Sequence, residues 1–276
     1  MKKLFTILLS CMLLGTMCFG LTACAQEDTI YVNTNAYFAP FEYYEGDQIV
    51  GVDVDIMNKV GEKLGKKVVI ENTDFNMIID NVASGKKYDC GAAGITITET
   101  RLEQVDFSTP YFTSIQYVIV KTGDMVKDGT NTAGDDYVLW QSLAGKKIGV
   151  QLDTTGHIYL DGEINAQQAT DGYDGALYGT STECITFDSA EVAVAALGTS
   201  VDAVIVDKIP AEYLVNNNEG LVCFALHYDA ETATEEQYAI CVTKGNTELL
   251  NAINEVLNEL GEEGINALVA KHLGLN

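Results

Sequence analysis

The chain has 276 residues, 47% of them hydrophobic, with 40 acidic against 16 basic side chains and a formal net charge of −24. So acidic a surface repels phosphate backbones, and no basic cluster offers a local exception, which excludes nucleic acid as a partner. The charge serves solubility and carries little information on fold.

In chain order, Lys2 and Lys3 open a segment whose remainder, Leu4 to Ala23, is apolar and uncharged, the pattern of an export signal. It ends in Leu21-Thr22-Ala23-Cys24 and runs directly into Gln26-Glu27-Asp28. Small residues before a cysteine at the end of the apolar run resemble the lipobox of bacterial lipoproteins. That resemblance implies a signal peptide over residues 1–23 and lipidation at Cys24, holding the protein on the outer face of the cytoplasmic membrane. A transmembrane anchor or a plain secretory signal is the bland alternative. No other segment is long and apolar enough to span a bilayer. The length left after residue 23 exceeds one average domain, so two lobes or two domains are expected.

Thr29-Ile30-Tyr31-Val32 reads as a strand, Asp53 to Leu64 as a helix with Ile56, Met57, Val60 and Leu64 on one face, and Val68-Val69-Ile70 as a second strand. Phe75, Ile78, Ile79 and Val82 stripe a second helix, and the small apolar run Cys90 to Gly94 suits a central strand packed on both faces. The series begins again with a strand at Lys147 to Val150, a helix over Ser189 to Leu197 and a buried strand over Val201 to Val206, with Asp207 at its C-terminal end. Residues 161–182 are poor in large apolar side chains and read as a surface excursion. Tyr238 to Val242 forms another strand, and Leu249, Leu250, Ile253, Val256, Leu257 and Leu260 stripe a long amphipathic helix. The pattern is α/β: two mostly parallel sheets flanked by helices, whose facing strand ends would enclose a small molecule.

Seven cysteines are present, of which Cys90, Cys184, Cys223 and Cys241 lie beyond residue 24. They show neither CxxC spacing nor a histidine grouping, so no metal and no cofactor is expected. Buried thiols are favoured, and disulfides stay possible in an exported protein.

Gly94-Ile95-Thr96-Ile97-Thr98-Glu99-Thr100-Arg101 carries the most chemistry. A strand ends at Gly94, Thr98 suits a helix N-cap, and a helix start favours a carboxylate. Arg101 fits equally a planar clamp for that carboxylate or a surface arginine paired with Glu103 or Asp106. This segment joins Ala39-Pro40-Phe41-Glu42, Gly51-Val52-Asp53-Val54-Asp55, Val105 to Tyr111 and Val201 to Asp207. In that order and across nearly the whole chain, they resemble the extracytoplasmic polar amino-acid-binding proteins of ABC importers.

The resemblance implies a two-lobed periplasmic-binding-protein-like fold of type II. Its lobe 1 is discontinuous, residues 24–112 and 236–276, and its lobe 2 is residues 113–235, with crossings near Tyr111 to Ile115 and Glu231 to Tyr238. It implies Arg101 as carboxylate clamp, Thr96 and Thr155 as further carboxylate donors, and the Gly94 carbonyl with Asp207 on the ligand ammonium. Asp207 also fits a plain helix N-cap. Phe38 and Phe75 would wall the ligand side chain, although Phe75 suits core packing nearly as well, and Gln151 would reach the same side chain. Asp153 stands where the family pattern commonly has glycine. Asn35 stands where several relatives carry aspartate, which favours a neutral, polar or uncharged ligand side chain. Asp53 and Asp55 read as structural. The implied partners are a free amino acid, the permease and ATPase subunits of an importer and, through the lipid, the membrane; the protein is expected to be a monomer. An amino-acid sensing lipoprotein and a dehydratase-like enzyme on the same scaffold, with His157 or Glu183 as acid or base, are the rival readings.

Overall fold

The computed structural model describes residues 28–275; the signal peptide expected over residues 1–23 and the expected lipidation site Cys24 lie outside them. The chain opens with β1 (Thr29–Thr34), a small antiparallel meander of β2 (Tyr37–Phe38), β3 (Glu42–Glu45) and β4 (Gln48–Val50), then α1 (Val52–Leu64) and β5 (Lys67–Asn72). A 3-10 turn at Phe75–Met77 leads into α2 (Ile78–Ala83), β6 (Cys90–Thr96), the single turn α3 (Glu99–Leu102) and β7 (Val105–Phe107). Strand β1 lies between β5 and β6 and is parallel to both. The parallel arrangement follows from the α-helical crossovers, which hide both faces of the sheet. Every residue of β6 is buried, as its small apolar composition requires.

Strand β8 (Phe112–Lys121) carries the chain into a second unit built the same way. There β9 (Gly129–Thr130), β10 (Asp136–Leu139), β11 (Lys147–Gln151), α4 (Thr155–Asn165), α5 (Gln168–Asp171) and β12 (Glu183–Phe187) come first. They are followed by α6 (Ala190–Ala195), β13 (Ala203–Asp207), α7 (Lys208–Asn217) and β14 (Leu221–His227). Strand β11 pairs in parallel with β12 and β13. The chain returns through β15 (Glu235–Thr243) and ends in α8 (Thr247–His272).

Strands β8 and β15 join the two units. The first part of β8 is antiparallel to β15, with Phe112 opposite Tyr238 and Ile115 opposite Glu235. From Gln116 onward β8 pairs instead with β13, and β15 from Tyr238 onward pairs with β6. One core packs α1 and α8 against the first sheet, and Ile78, Val82, Ile95 and Cys241 form another on its opposite face. The second unit has its own two cores, one with Ala193, Val194 and Leu214, the other around Trp140, Leu143 and Leu160. Phe38 touches cores of both units.

Cys90, Cys184, Cys223 and Cys241 are free; Cys90 and Cys241 are buried, whereas Cys223, expected buried, and Cys184 are half-buried. Adjacent strands place Cys90 opposite Val242 and Cys241 opposite Gly91, and the two thiols pack into cores on opposite faces of the sheet. Residues 161–182 are less of an excursion than their composition suggests: α4 runs to Asn165 and Leu177 is 1% exposed in the core around Trp140.

Candidate ligand-binding cleft

The C-terminal ends of β1 and β6 face those of β11 and β13, and the residues just beyond them line one small cavity. Asn35, Phe38, Phe75, Gly94 and Thr96 reach it from the first unit, and Gln151, Thr155 and Asp207 from the second. Two hydrogen bonds cross it directly, Thr96 Oγ1 to Thr155 Oγ1 at 2.6 Å and Gln151 Nε2 to Asn35 Oδ1 at 2.9 Å. Every site residue expected from the sequence therefore lines one cavity, except Arg101.

Arg101 lies just behind that lining. The Thr98 hydroxyl caps the turn of α3 by accepting from the Arg101 backbone N–H at 3.2 Å. Arg101 is 7% exposed, and its guanidinium lies 5.5 Å from the Phe75 ring and donates from Nη1 to the Thr96 carbonyl at 2.8 Å. From Nη2 it donates across the cleft to the Asp153 carbonyl at 2.7 Å. It is no surface arginine: neither Glu103 nor Asp106 is among its salt-bridge partners. Burial pulls its pKa down, and the nearby carboxylates of Glu236 and Asp153 oppose that. Asp153 takes the glycine-like conformation of the turn, φ 62°, which aspartate tolerates better than most side chains.

Gly94 also needs its glycine: φ is +53°, and a Cβ there would stand 2.9 Å from the Phe38 ring. Its N–H donates to Asp53 Oδ2 at 3.0 Å, while the Tyr111 hydroxyl donates to Asp53 Oδ1 at 2.6 Å. Asp53 thus buttresses the Gly94 turn from behind. Asp207 occupies the position before α7 but its side chain does not cap the helix. Instead Asp207 Oδ1 accepts from Gln116 Nε2 at 2.7 Å, which turns the carboxylate into the cleft.

Two cavity carboxyls were not singled out from the sequence, Glu42 and Glu236. Glu42 closes the Ala39-Pro40-Phe41-Glu42 motif, and Glu236 is the inward position in the alternating start of β15. Glu235, Glu236 and Gln237 are all polar, so the sequence alone held no signal for which of them turns inward. Glu42 is fully buried, and its oxygens accept no hydrogen bond from the described residues' donors. Burial and the neighbouring Asp53 carboxylate hold its pKa well above the usual carboxylate range, which favours its neutral form. Asp53 itself is pushed up to about 6 by burial, against the pull of Tyr111 and the Gly94 N–H. Asp207 is raised well above the usual range by burial and by the adjacent Glu236.

Two α/β units joined by two strands, with the site between the facing sheet ends, define the bilobal binding-protein class of type II. The chain belongs to the bacterial extracellular solute-binding proteins, family 3, whose pattern it matches over residues 30–275. It is similar to the arginine-binding extracellular protein ArtP of Bacillus subtilis, 28% identical over 96% of this chain and 94% of that one. The L-cystine-binding protein TcyJ of Escherichia coli is 27% identical over 90% and 84% respectively. Among solved structures, the amino acid ABC transporter substrate-binding protein AbpA of Streptococcus pneumoniae, bound to L-arginine, superposes with a TM-score of 0.73. It is 26% identical, over 89% of this chain and 94% of that one. The family is one of extracellular binding proteins and not of enzymes. His157, the candidate acid or base, accepts on Nδ1 from the Asp153 N–H at 3.1 Å, a local turn contact. Among the described residues no helix is long and apolar enough to cross a membrane.

Proposed function

We propose that this chain is the substrate-binding component of an amino-acid ABC importer and traps one free L-amino acid between its lobes. The observation that carries this reading is convergence. Residues from β1, β6, β11 and β13, far apart in sequence, meet at one cavity whose walls belong to both units. A free amino acid has about ten heavy atoms, and micromolar binding asks close to 0.8 kcal/mol of each, which demands enclosure from both sides.

In this reading the lobe boundaries fall at the β8 and β15 crossings, giving lobe 1 as residues 24–112 with 236–276 and lobe 2 as 113–235. Arg101, Thr96 and Thr155 receive the ligand carboxylate, since two carbonyl bonds leave the guanidinium with further N–H donors. Gly94 and Asp207 take the ammonium. Phe38, Phe75, Asn35 and Gln151 meet the side chain, and the Asn35–Gln151 amide pair is uncharged. That pairing supports a neutral polar side chain; the relatives named for arginine favour a cationic one. Ligand contacts to both lobes stabilise the closed form over the open one, and the permease and ATPase subunits respond to the closed form. In this reading Cys24 carries the lipid that keeps the monomer on the outer face of the cytoplasmic membrane.

A thermal-shift screen of the twenty amino acids, cystine and ornithine tests the reading, because ligand that binds only the folded state raises its melting temperature. At least one amino acid should raise it, and calorimetry should then rank glutamine-like ligands above arginine and lysine. No shift with any of them overturns the proposed function. A much tighter arginine overturns only the neutral preference.

A further inference from the structure

Glu236 stands in the hinge end of β15, opposite Ser114 of β8, and is 5% exposed. Its Oε2 accepts from the Thr96 hydroxyl at 2.6 Å. Its Oε1 accepts from the Gln116 side-chain amide, the same nitrogen that donates to Asp207 Oδ1 at 2.7 Å. A primary amide has two N–H groups, and both are spent on this bridge. The amide is neutral, so it holds two buried carboxyls side by side without compensating their charge. The nearest guanidinium, Arg101, is turned to the carbonyls of Thr96 and Asp153. The other groups facing this pair are Tyr238 of β15, Tyr159 of α4 and Glu42 of β3, none of them a cation.

Two such carboxyls need either a proton or a bound cation between them. Among the described residues no three metal-ligating side chains gather closely enough to hold an ion. The cavity instead places the Gly94 turn, Thr96, Asp207 and Glu236 around one volume. An ammonium group has three N–H donors, which matches one carbonyl and two carboxylates.

We propose that Glu236 is a second carboxylate of the ammonium subsite, so that the ligand's ammonium is gripped by Asp207 from lobe 2 and by Glu236 from the hinge strand. The proposal rests on the amino-acid reading above and adds a determinant that selects a free amine. It has a consequence for protons. When the subsite holds no ammonium, burial and the adjacent Glu236 favour a proton on Asp207. An arriving ammonium displaces that proton. Affinity therefore rises with pH until Asp207 is ionised, and on the acid side it falls about tenfold per pH unit.

Calorimetry on the purified chain with L-glutamine and L-arginine as probes, between about pH 5 and 8 and in buffers of different ionisation enthalpy, reads both affinity and protons released. Wild-type protein should release a proton on the acid side and ignore N-acetyl-L-glutamine. Glu236→Gln should weaken both probes by about tenfold or more, whatever their side chain, and reduce the proton release. Glu236→Asp, which keeps the charge but withdraws it, should weaken both probes and retain the release. Affinity within about twofold of wild type in either variant, or undiminished proton release in Glu236→Gln, overturns the assignment. Wild-type protein that binds no amino acid overturns the functional reading itself, and the two failures are thereby distinguished.

Discussion

Arg101 shows how much a single side chain can be asked to do. Its two carbonyl partners, Thr96 and Asp153, belong to different lobes, so the same guanidinium that is to meet the ligand carboxylate also ties the cleft walls together. Removing it leaves two buried acceptors short of a charged donor, and such bonds are worth roughly 1.5–3 kcal/mol each. Arg101→Ala should therefore weaken amino-acid binding by at least about a hundredfold in calorimetry. Arg101→Lys should recover little, because a point charge cannot serve both carbonyls as a planar fork does. Near-normal affinity in Arg101→Ala would remove it from the site. At this scale the residue types of the cleft were readable from their motifs. That Arg101 faces carbonyls and Asp207 turns away from its helix was not, because rotamers answer to neighbours distant in sequence, Asp153 for Arg101 and Gln116 for Asp207.

Among the elements, strand and helix identities followed hydrophobic periodicity closely, and their irregularities did not. The stripe from Leu249 to Leu260 announced α8, whose Leu249, Ile253, Val256 and Leu257 are buried. Nothing in that stripe announced the break at Gly261, where φ is 58° and ψ −176°. The break lets the helix change direction, so that Ile265 and Val269 rejoin the core that α1 shares. A Cβ at Gly261 would meet no atom within 4 Å, so the substitution probes backbone conformation alone. Gly261→Ala should lower stability by about 1–3 kcal/mol in denaturant titration, since L-residues rarely adopt this conformation. An unchanged midpoint would mean that the helix can straighten without loss. The Phe75 stripe, expected as one helix, begins instead as a 3-10 turn, in which Phe75 packs against the core of Ile78 and Val82 and also lines the cleft.

The whole molecule buries several carboxyls at its centre, and this sets how its stability responds to pH. Asp53 has a folded value of about 6, above its unfolded value near 4, and Glu42 and Asp207 are shifted in the same direction. A carboxyl raised on folding contributes stability that is complete below its unfolded value and lost as pH rises through the folded one. Asp55, Glu71, Asp136, Asp171 and Asp229 are shifted down by their partners, so their contributions change only at lower pH. Between about pH 4 and 7.5 the chain should therefore lose stability as pH rises, with Asp53 alone worth up to about 3 kcal/mol, of which about 1.4 kcal/mol is lost above pH 5. Glu42→Gln supplies Asp53 with a donor that never titrates, so it should flatten this slope in thermal melts taken across the window. A slope equal to wild type would show that the Glu42–Asp53 contact does not set it.

Composition, periodicity and ordered motifs by themselves determined the fold class, the order of elements and the cast of polar residues around the cleft, since these depend on local spacing and on which faces must be buried. The tertiary structure decided which of those groups touch. It turned Arg101 toward carbonyls of both lobes, set Glu42 against Asp53, and brought Glu236 beside Asp207 through one shared amide. The reason is physical: such pairings join residues separated by many tens of positions, and their charge states depend on burial created only when the two sheets close over a common space.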